Sequence, residues 1–158
     1  MGFLTGKTAI ITGGGRAVLS NGECGSIGYG IATAYAKEGA NLVLTGRNVQ
    51  KLTDAKEELE KKYGIKVLPV QADVSAGSDN EAIVQNVVKQ AIDTFGRIDV
   101  LINNAQASAS GVTIADHTTE QFDLAVYSGL YAAFYYMKAC YPYLKAVSYT
   151  HLTLPTIR

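Results

Sequence analysis

The chain has 158 residues, with 14 Lys and Arg against 14 Asp and Glu, and is 47% apolar and 18% charged. So high an apolar fraction excludes a disordered tail, and zero formal net charge excludes the basic footprint of a nucleic-acid or anionic-membrane binder. The length suits one domain with a real core, with no bilayer-spanning apolar run and no apolar leader in residues 1–7.

Cys24 and Cys140 are the only cysteines and have no metal-like spacing. The expectation is two reduced thiols in a cytoplasmic protein, no metal, and a small molecule as partner.

Residues 8–12 (TAIIT) form a β-branched run that stops at Gly13, Gly14 and Gly15, the pattern of a buried strand ended by a tight turn. From Ser26 the period changes. Ile27, Ile31 and Tyr35 recur every four residues and Gly39 follows, which predicts a helix with a glycine stop. Residues 41–45 (NLVLT) predict a second strand. Val49, Leu52, Ala55, Leu59 and Tyr63 mark one face of a second helix, whose wet side is supported by Glu57 with Lys61 and Glu58 with Lys62. Residues 66–71 (KVLPVQ) predict a third strand, to which Pro69 is an objection because proline cannot donate to a ladder. Ile83, Val87, Val88, Ala91, Ile92 and Phe95 predict a third helix closed by Gly96, and residues 98–102 (IDVLI) a fourth strand. A last helix over 119–145 carries Phe122, Leu124, Tyr127, Leu130, Tyr131, Phe134, Tyr135 and Met137. This alternation predicts an α/β fold: a Rossmann-type doubly wound parallel sheet, incomplete at about four strands, with right-handed crossovers. Residues 147–158 break the pattern, with no helical period and no acidic residue.

In a doubly wound sheet the first strand-to-helix turn receives a dinucleotide pyrophosphate. Glycines let the backbone approach the phosphates, and the helix N-terminus supplies free N–H groups and a positive dipole end. Thr12-Gly13-Gly14-Gly15 follows the first strand directly, and Gly25-Ser26-Ile27-Gly28 opens the first helix. The end of the second strand selects the cofactor: a carboxylate there bonds the ribose 2′-OH of NAD, whereas a base accommodates a 2′-phosphate. Val43-Leu44-Thr45-Gly46-Arg47 ends on a planar guanidinium that grips phosphate bidentately, so NADP is favoured over NAD. Arg16 is a second candidate for phosphate contact.

On these residues the chain resembles the short-chain dehydrogenase/reductase family, classical subtype. Thr12-Gly13 with Gly28 is similar to its TGxxxGxG loop. Asp73-Val74 is similar to the acidic–apolar pair that flanks the adenine, and Asn103-Asn104-Ala105 to the NNAG motif that supports the sheet and lines the cofactor cleft. Arg47 matches the NADP-preferring pattern. The resemblance implies an NADP(H)-dependent oxidoreductase that interconverts a carbonyl and a secondary alcohol by hydride transfer. It also implies strand order 3-2-1-4 and, for the full-length form, a homodimer or homotetramer built on the helix over 119–145. Residues 1–146 are then the N-terminal part of the cofactor-binding domain. Residues 147–158 are a tail foreign to the family, either an artefact of a truncated gene or part of a genuine short form.

Three places depart from the family pattern. Gly13 and Gly28 lie 15 positions apart, with residues 16–24 reading as an insertion and Ser26 at the middle glycine. Gln106 replaces the last glycine of NNAG. Gly129 stands where the family has an asparagine that bridges the catalytic lysine through water. Residues 26–32 are similar to the enoyl reductase branch, which keeps that activity as an alternative, beside a non-catalytic nucleotide-binding fragment. The family's Ser and YxxxK are expected beyond this stretch, so no catalytic residue is assigned. Tyr141-Pro142-Tyr143-Leu144-Lys145 has the YxxxK spacing but falls at the end of a helix and lacks the upstream Ser. The missing strands lead to an expected open edge at the fourth strand, a bare apolar face and poor solubility of the isolated chain.

Overall fold

The computed structural model describes residues 2–147. The chain runs β1 (Thr8–Thr12), α1 (Ile27–Lys37), β2 (Asn41–Gly46), α2 (Val49–Tyr63), β3 (Val67–Gln71), α3 (Asn80–Phe95), β4 (Val100–Ile102), α4 (Thr119–Val126) and α5 (Ala132–Ala146). Short 3-10 turns occupy Gly77–Asp79 and Ile114–Asp116. The four strands are all parallel, in the expected order β3-β2-β1-β4. The tail beyond residue 147 lies outside the described residues.

Side-chain alternation along the strands decides where the helices go. Ala9 and Ile11 of β1 share a face with Leu42 and Leu44 of β2, and α1 and α2 cover it with Tyr29, Ala32, Ala36, Leu52, Ala55 and Leu59. Ile10 and Val43 face the other way, against Val84, Val87, Val88 and Ala91 of α3 and Tyr136 and Cys140 of α5. The six β1 and β2 residues in these two sets are fully buried. The expected bare face is therefore corrected for the central strands: partial exposure falls on the two edges, at Val100, Leu101 and Ile102 of β4 and at Leu68, Pro69 and Gln71 of β3.

Pro69 proves compatible with a strand because β3 is the opposite edge. Leu42 N–H donates to Lys66 O, so Val67, Pro69 and Gln71 turn their backbone groups outward, and the missing proline donor costs no ladder bond. That edge is also blocked at its start. Glu60 Oε1 accepts the Val67 N–H at 2.8 Å, and Lys56 Nζ reaches Val67 O at 3.0 Å.

The helix expected over 119–145 is interrupted. A π-helical turn, Tyr127–Tyr131, joins α4 to α5, and the Ala132 N–H reaches Tyr127 O. Its cause lies in Ser128, which is 1% exposed and sets its hydroxyl 2.7 Å from Leu124 O, competing with the regular helical ladder. The tyrosine stripe is present, with ring centroids 5.2 Å apart for Tyr127–Tyr131 and 6.2 Å for Tyr131–Tyr135. Tyr136 turns the other way into the core, while Leu130, Phe134, Met137 and Tyr141 are exposed.

At the N-terminal end of the sheet, Asp99 joins β1 to the start of β4. It accepts the Thr8 N–H at 2.9 Å and two Arg97 donors at 2.8 and 2.5 Å, with Lys7 Nζ at 3.3 Å. Burial alone would raise its pKa; the bonds from Arg97, Thr8 and Lys7 outweigh that and hold it below the usual carboxylate value. At the C-terminal end, α1 packs so closely on the sheet that a β-carbon on Gly28 would lie 2.2 Å from Gly13 O and 2.6 Å from Asn104 Nδ2.

Two outcomes follow from these ends. Gly28→Ala should lower stability by about 1–3 kcal/mol through overpacking, read as a fall in thermal midpoint; an unchanged midpoint contradicts the close approach. Because the folded pKa of Asp99 is depressed, its contribution is present above the unfolded value and is lost as pH falls through the folded one. Asp99→Asn should therefore destabilise at pH 7 by about 1–3 kcal/mol, and the gap to wild type should close below about pH 4. A gap that persists in acid contradicts an ionic role.

Candidate functional site

The site grows from the last residue of β1. Thr12 is 2% exposed, and its Oγ1 accepts the N–H groups of Asn104 and Ala105, each at 2.9 Å, while donating to Ile102 O at 3.3 Å. Asn104 Nδ2 donates to Thr12 O at 2.8 Å. The segment after β4 is thus tied to the end of β1 by side chains as well as by the ladder.

Gly13 follows with φ +71°, the left-handed turn that lets the chain leave the strand. The Gly13 and Gly14 N–H groups donate to Thr45 O at 2.8 and 3.1 Å. These two glycines therefore shape the turn and anchor it to β2, and their amides are not available to a ligand. The available donors sit at the start of α1. Ser26 caps that helix, its Oγ accepting the Tyr29 N–H at 3.4 Å. The Ile27 and Gly28 amides precede the helical ladder and lie at the positive end of the α1 dipole. Ile27 is 77% exposed there.

Residues 16–24 fold back as a small hairpin, with Val18 bridged to Cys24 and the Gly25 N–H on Ala17 O. Arg16 closes its base. Its Nε lies 2.5 Å from Glu58 Oε2 on α2, and its N–H donates to Lys51 O. The guanidinium holds Glu58 below the usual carboxylate range. Arg16, expected as a second candidate for phosphate contact, pairs through Nε with Glu58 of α2 and stays part-exposed.

A cleft of about 260 Å³ opens above the strand ends, lined by Gly13, Thr45, Gly46, Arg47, Ala72, Asp73, Val74, Asn104, Ala105, Gln106 and Ala107. A second hollow of about 250 Å³ shares Gly13, Gly46 and Arg47 with it and adds Gly15, Ser26, Asn48 and Lys51. The two run together around Arg47, which is exposed just beyond β2. Asp73 is fixed by Ser75, whose N–H and Oγ donate to its Oδ1 at 2.9 and 2.6 Å. Burial would raise its pKa, but these bonds and the charge of Arg47 hold it low. Val74 O is held by Asn80 Nδ2 at 2.7 Å, from a side chain 1% exposed.

The fold thus gathers Gly13, Gly15, Ser26, Arg47, Asp73, Val74, Asn104 and Ala105 around one connected cleft. Thr12, Gly14 and Gly28 lie buried beneath it, and Ile27 stands at the adjoining helix end. Asn103 is exposed and lines neither hollow. Tyr141 and Lys145 lie on the last turns of α5 and are not in the cleft lining. Sequence reasoning missed Asn48, Lys51, Asn80 and Ser128. Asn48 carried a signal, since a cap-forming residue directly precedes an apolar-periodic helix, and its Oδ1 does accept the Lys51 N–H. Asn80 and Ser128 carried none, because a polar residue in a helix is ordinarily solvated. Among the described residues no group of three His, Cys, Asp or Glu could hold a metal ion, and no helix is long and apolar enough to cross a membrane.

Comparison with known proteins places this architecture. A sequence model of the short chain dehydrogenases matches residues 7–151. A 12alpha-hydroxysteroid dehydrogenase of Clostridium sp. is 65% identical over 145 residues, which is 92% of this chain and 53% of that protein. The crystal structure of L-sorbose reductase from Gluconobacter frateurii, complexed with NADPH and L-sorbose, superposes with a TM-score of 0.77 at 32% identity, covering 93% of this chain and 50% of that one. An alcohol dehydrogenase from Thermococcus sibiricus, complexed with 5-hydroxy-NADP, gives 0.76 at 28% identity over 89% of this chain and 54% of that one. The chain spans about half the length of these relatives. It belongs to the short-chain dehydrogenase/reductase family.

Proposed function

We propose that these residues form the cofactor-binding part of an NADP(H)-dependent oxidoreductase that interconverts a carbonyl and a secondary alcohol, with a hydroxysteroid as the substrate class. The observation that carries the cofactor choice is the lining around Arg47. The hollow beside β2 presents Arg47, Asn48 and Lys51 and no carboxylate, a donor set for a 2′-phosphate. The Ile27 and Gly28 amides at the α1 dipole supply donors for two linked phosphates. Asp73 and Val74 offer a wall for the adenine, and Asn104 and Ala105 line the β4 side. Bound NADPH supplies the hydride. This reading assigns no proton-moving residue among the described residues.

The substrate class rests on the 65% identical hydroxysteroid dehydrogenase. The L-sorbose reductase bound to NADPH supports the same cofactor with a keto sugar in place of a steroid. The exposed aromatic face of α4 and α5 supports a homo-oligomeric whole protein, and the two free thiols fit a reducing cytoplasm.

Binding of NADPH and NADH, followed by fluorescence titration, tests this reading. Arg47→Asp should weaken NADPH about 10- to 100-fold, the range for lost charge-assisted bonds, and leave NADH within about twofold; equal loss of both overturns the assignment. On the whole-length protein, NADP+ should be reduced with a hydroxysteroid, and turnover with simple sugars alone would overturn the substrate class.

A further inference from the structure

The segment after β4 is pinned on both sides of one residue. Before it, the Ala105 N–H donates to Thr12 Oγ1 at 2.9 Å. After it, the Ala107 N–H donates to Ser128 Oγ at 2.9 Å, and that hydroxyl lies 2.9 Å from Ala107 O. Ser128 and Thr12 are both buried, so neither anchor competes with water. Between them Gln106 has a fixed backbone and an exposed side chain.

That side chain has a seat. A β-carbon on Gly129 would lie 3.4 Å from Gln106 Nε2 and 3.6 Å from its Cδ. The carboxamide rests on the one residue of the π-helical turn that lacks a side chain. A methyl there would touch it, and a longer side chain would displace it.

Gln106 is also the residue common to the cleft at the strand ends and to a shallow hollow of about 460 Å³ on α4, whose other lining residues are Ala125, Val126, Gly129 and Leu130. Its carboxamide is the polar side chain at that junction. In the strand order β3-β2-β1-β4, Arg47 follows β2 and Gln106 follows β4, on opposite sides of β1. A dinucleotide with its 2′-phosphate at Arg47 therefore extends its other nucleoside towards Gln106.

We propose that Gln106, seated on Gly129, is a specificity-determining residue that hydrogen-bonds the nicotinamide riboside half of the cofactor. This rests on the NADP(H) reading above. A carboxamide is both donor and acceptor, which suits the paired hydroxyls of a ribose. A backbone held on both sides lowers the entropy cost of presenting it.

The test compares two ligands on the full chain by calorimetry: NADPH, and 2′,5′-ADP, which keeps the phosphorylated adenosine and lacks the nicotinamide riboside. Gln106→Ala should raise the Kd for NADPH about 5- to 10-fold, the value of one hydrogen bond, and leave 2′,5′-ADP within about twofold. Gly129→Val, which displaces the carboxamide while keeping Gln106, should reproduce the NADPH loss alone. The double variant should be no worse than either single one. Equal weakening of both ligands, or unchanged NADPH binding in Gln106→Ala, overturns the proposal. Wild-type protein that binds neither ligand overturns the NADP(H) reading itself, an outcome distinct from variants that match a binding wild type.

Discussion

Three hydrogen bonds converge on the hydroxyl of Thr12, and a fourth runs from Asn104 Nδ2 to its carbonyl. β1 is the centre of the site because β2 and β4 both pair with it. The ladder aligns the strands but ends at Ile11 with Ile102 on the β4 side. Beyond that point Thr12 keeps Asn104 and Ala105 beside the glycine turn, and Ser128 holds Ala107 at the far end of the segment of residues 103–107. The cleft opens beside those two segments, and the buried Thr12 hydroxyl fixes the side where they meet. The other boundary is set by Thr45 O, which holds the amides of Gly13 and Gly14. Two backbone-directed contacts thus hold the cleft open before any ligand enters.

This division of labour changes how the glycines are understood. A glycine-rich turn suggests a row of amides around phosphate, yet two of the three consecutive glycines spend their N–H groups inside the protein. Their service is steric. Gly13 allows the left-handed turn, and Gly28 allows α1 to approach closely to Gly13 and Asn104. The hairpin over residues 16–24 separates these glycines along the chain without separating them in space. Arg16 on Glu58 and Ala17 on Gly25 close its base, so the long insertion projects outward and the ends of the turn meet as a short loop would have them.

Much of this was legible in the sequence, for definite reasons. β1, α1 and α2 were readable almost to the residue because a β-branched run, a period of four and glycine stops are local signals. The order of the strands came from the family resemblance and not from spacing. Pro69 looked like an objection because the sequence does not state which way a residue turns its backbone, and the parallel register answers it. Arg16 looked free because its partner, Glu58, is 42 positions away. The break at Tyr127–Tyr131 was invisible because the apolar period runs straight through it, while the cause is one serine bonded to the far side of the cleft at Ala107. Long-range polar contacts of single side chains escape periodicity, and in this chain they are the contacts that build the site.

The most direct measurement is on Thr12→Val, which removes the hydroxyl while keeping the shape of the side chain. With the Asn104 and Ala105 amides left without their acceptor, stability should fall by about 2–4 kcal/mol, and the Kd for NADPH should rise by more than about tenfold at a temperature where the variant remains folded. A valine variant that binds NADPH as tightly as wild type, with an unchanged thermal midpoint, would show that the cleft does not depend on this hydroxyl.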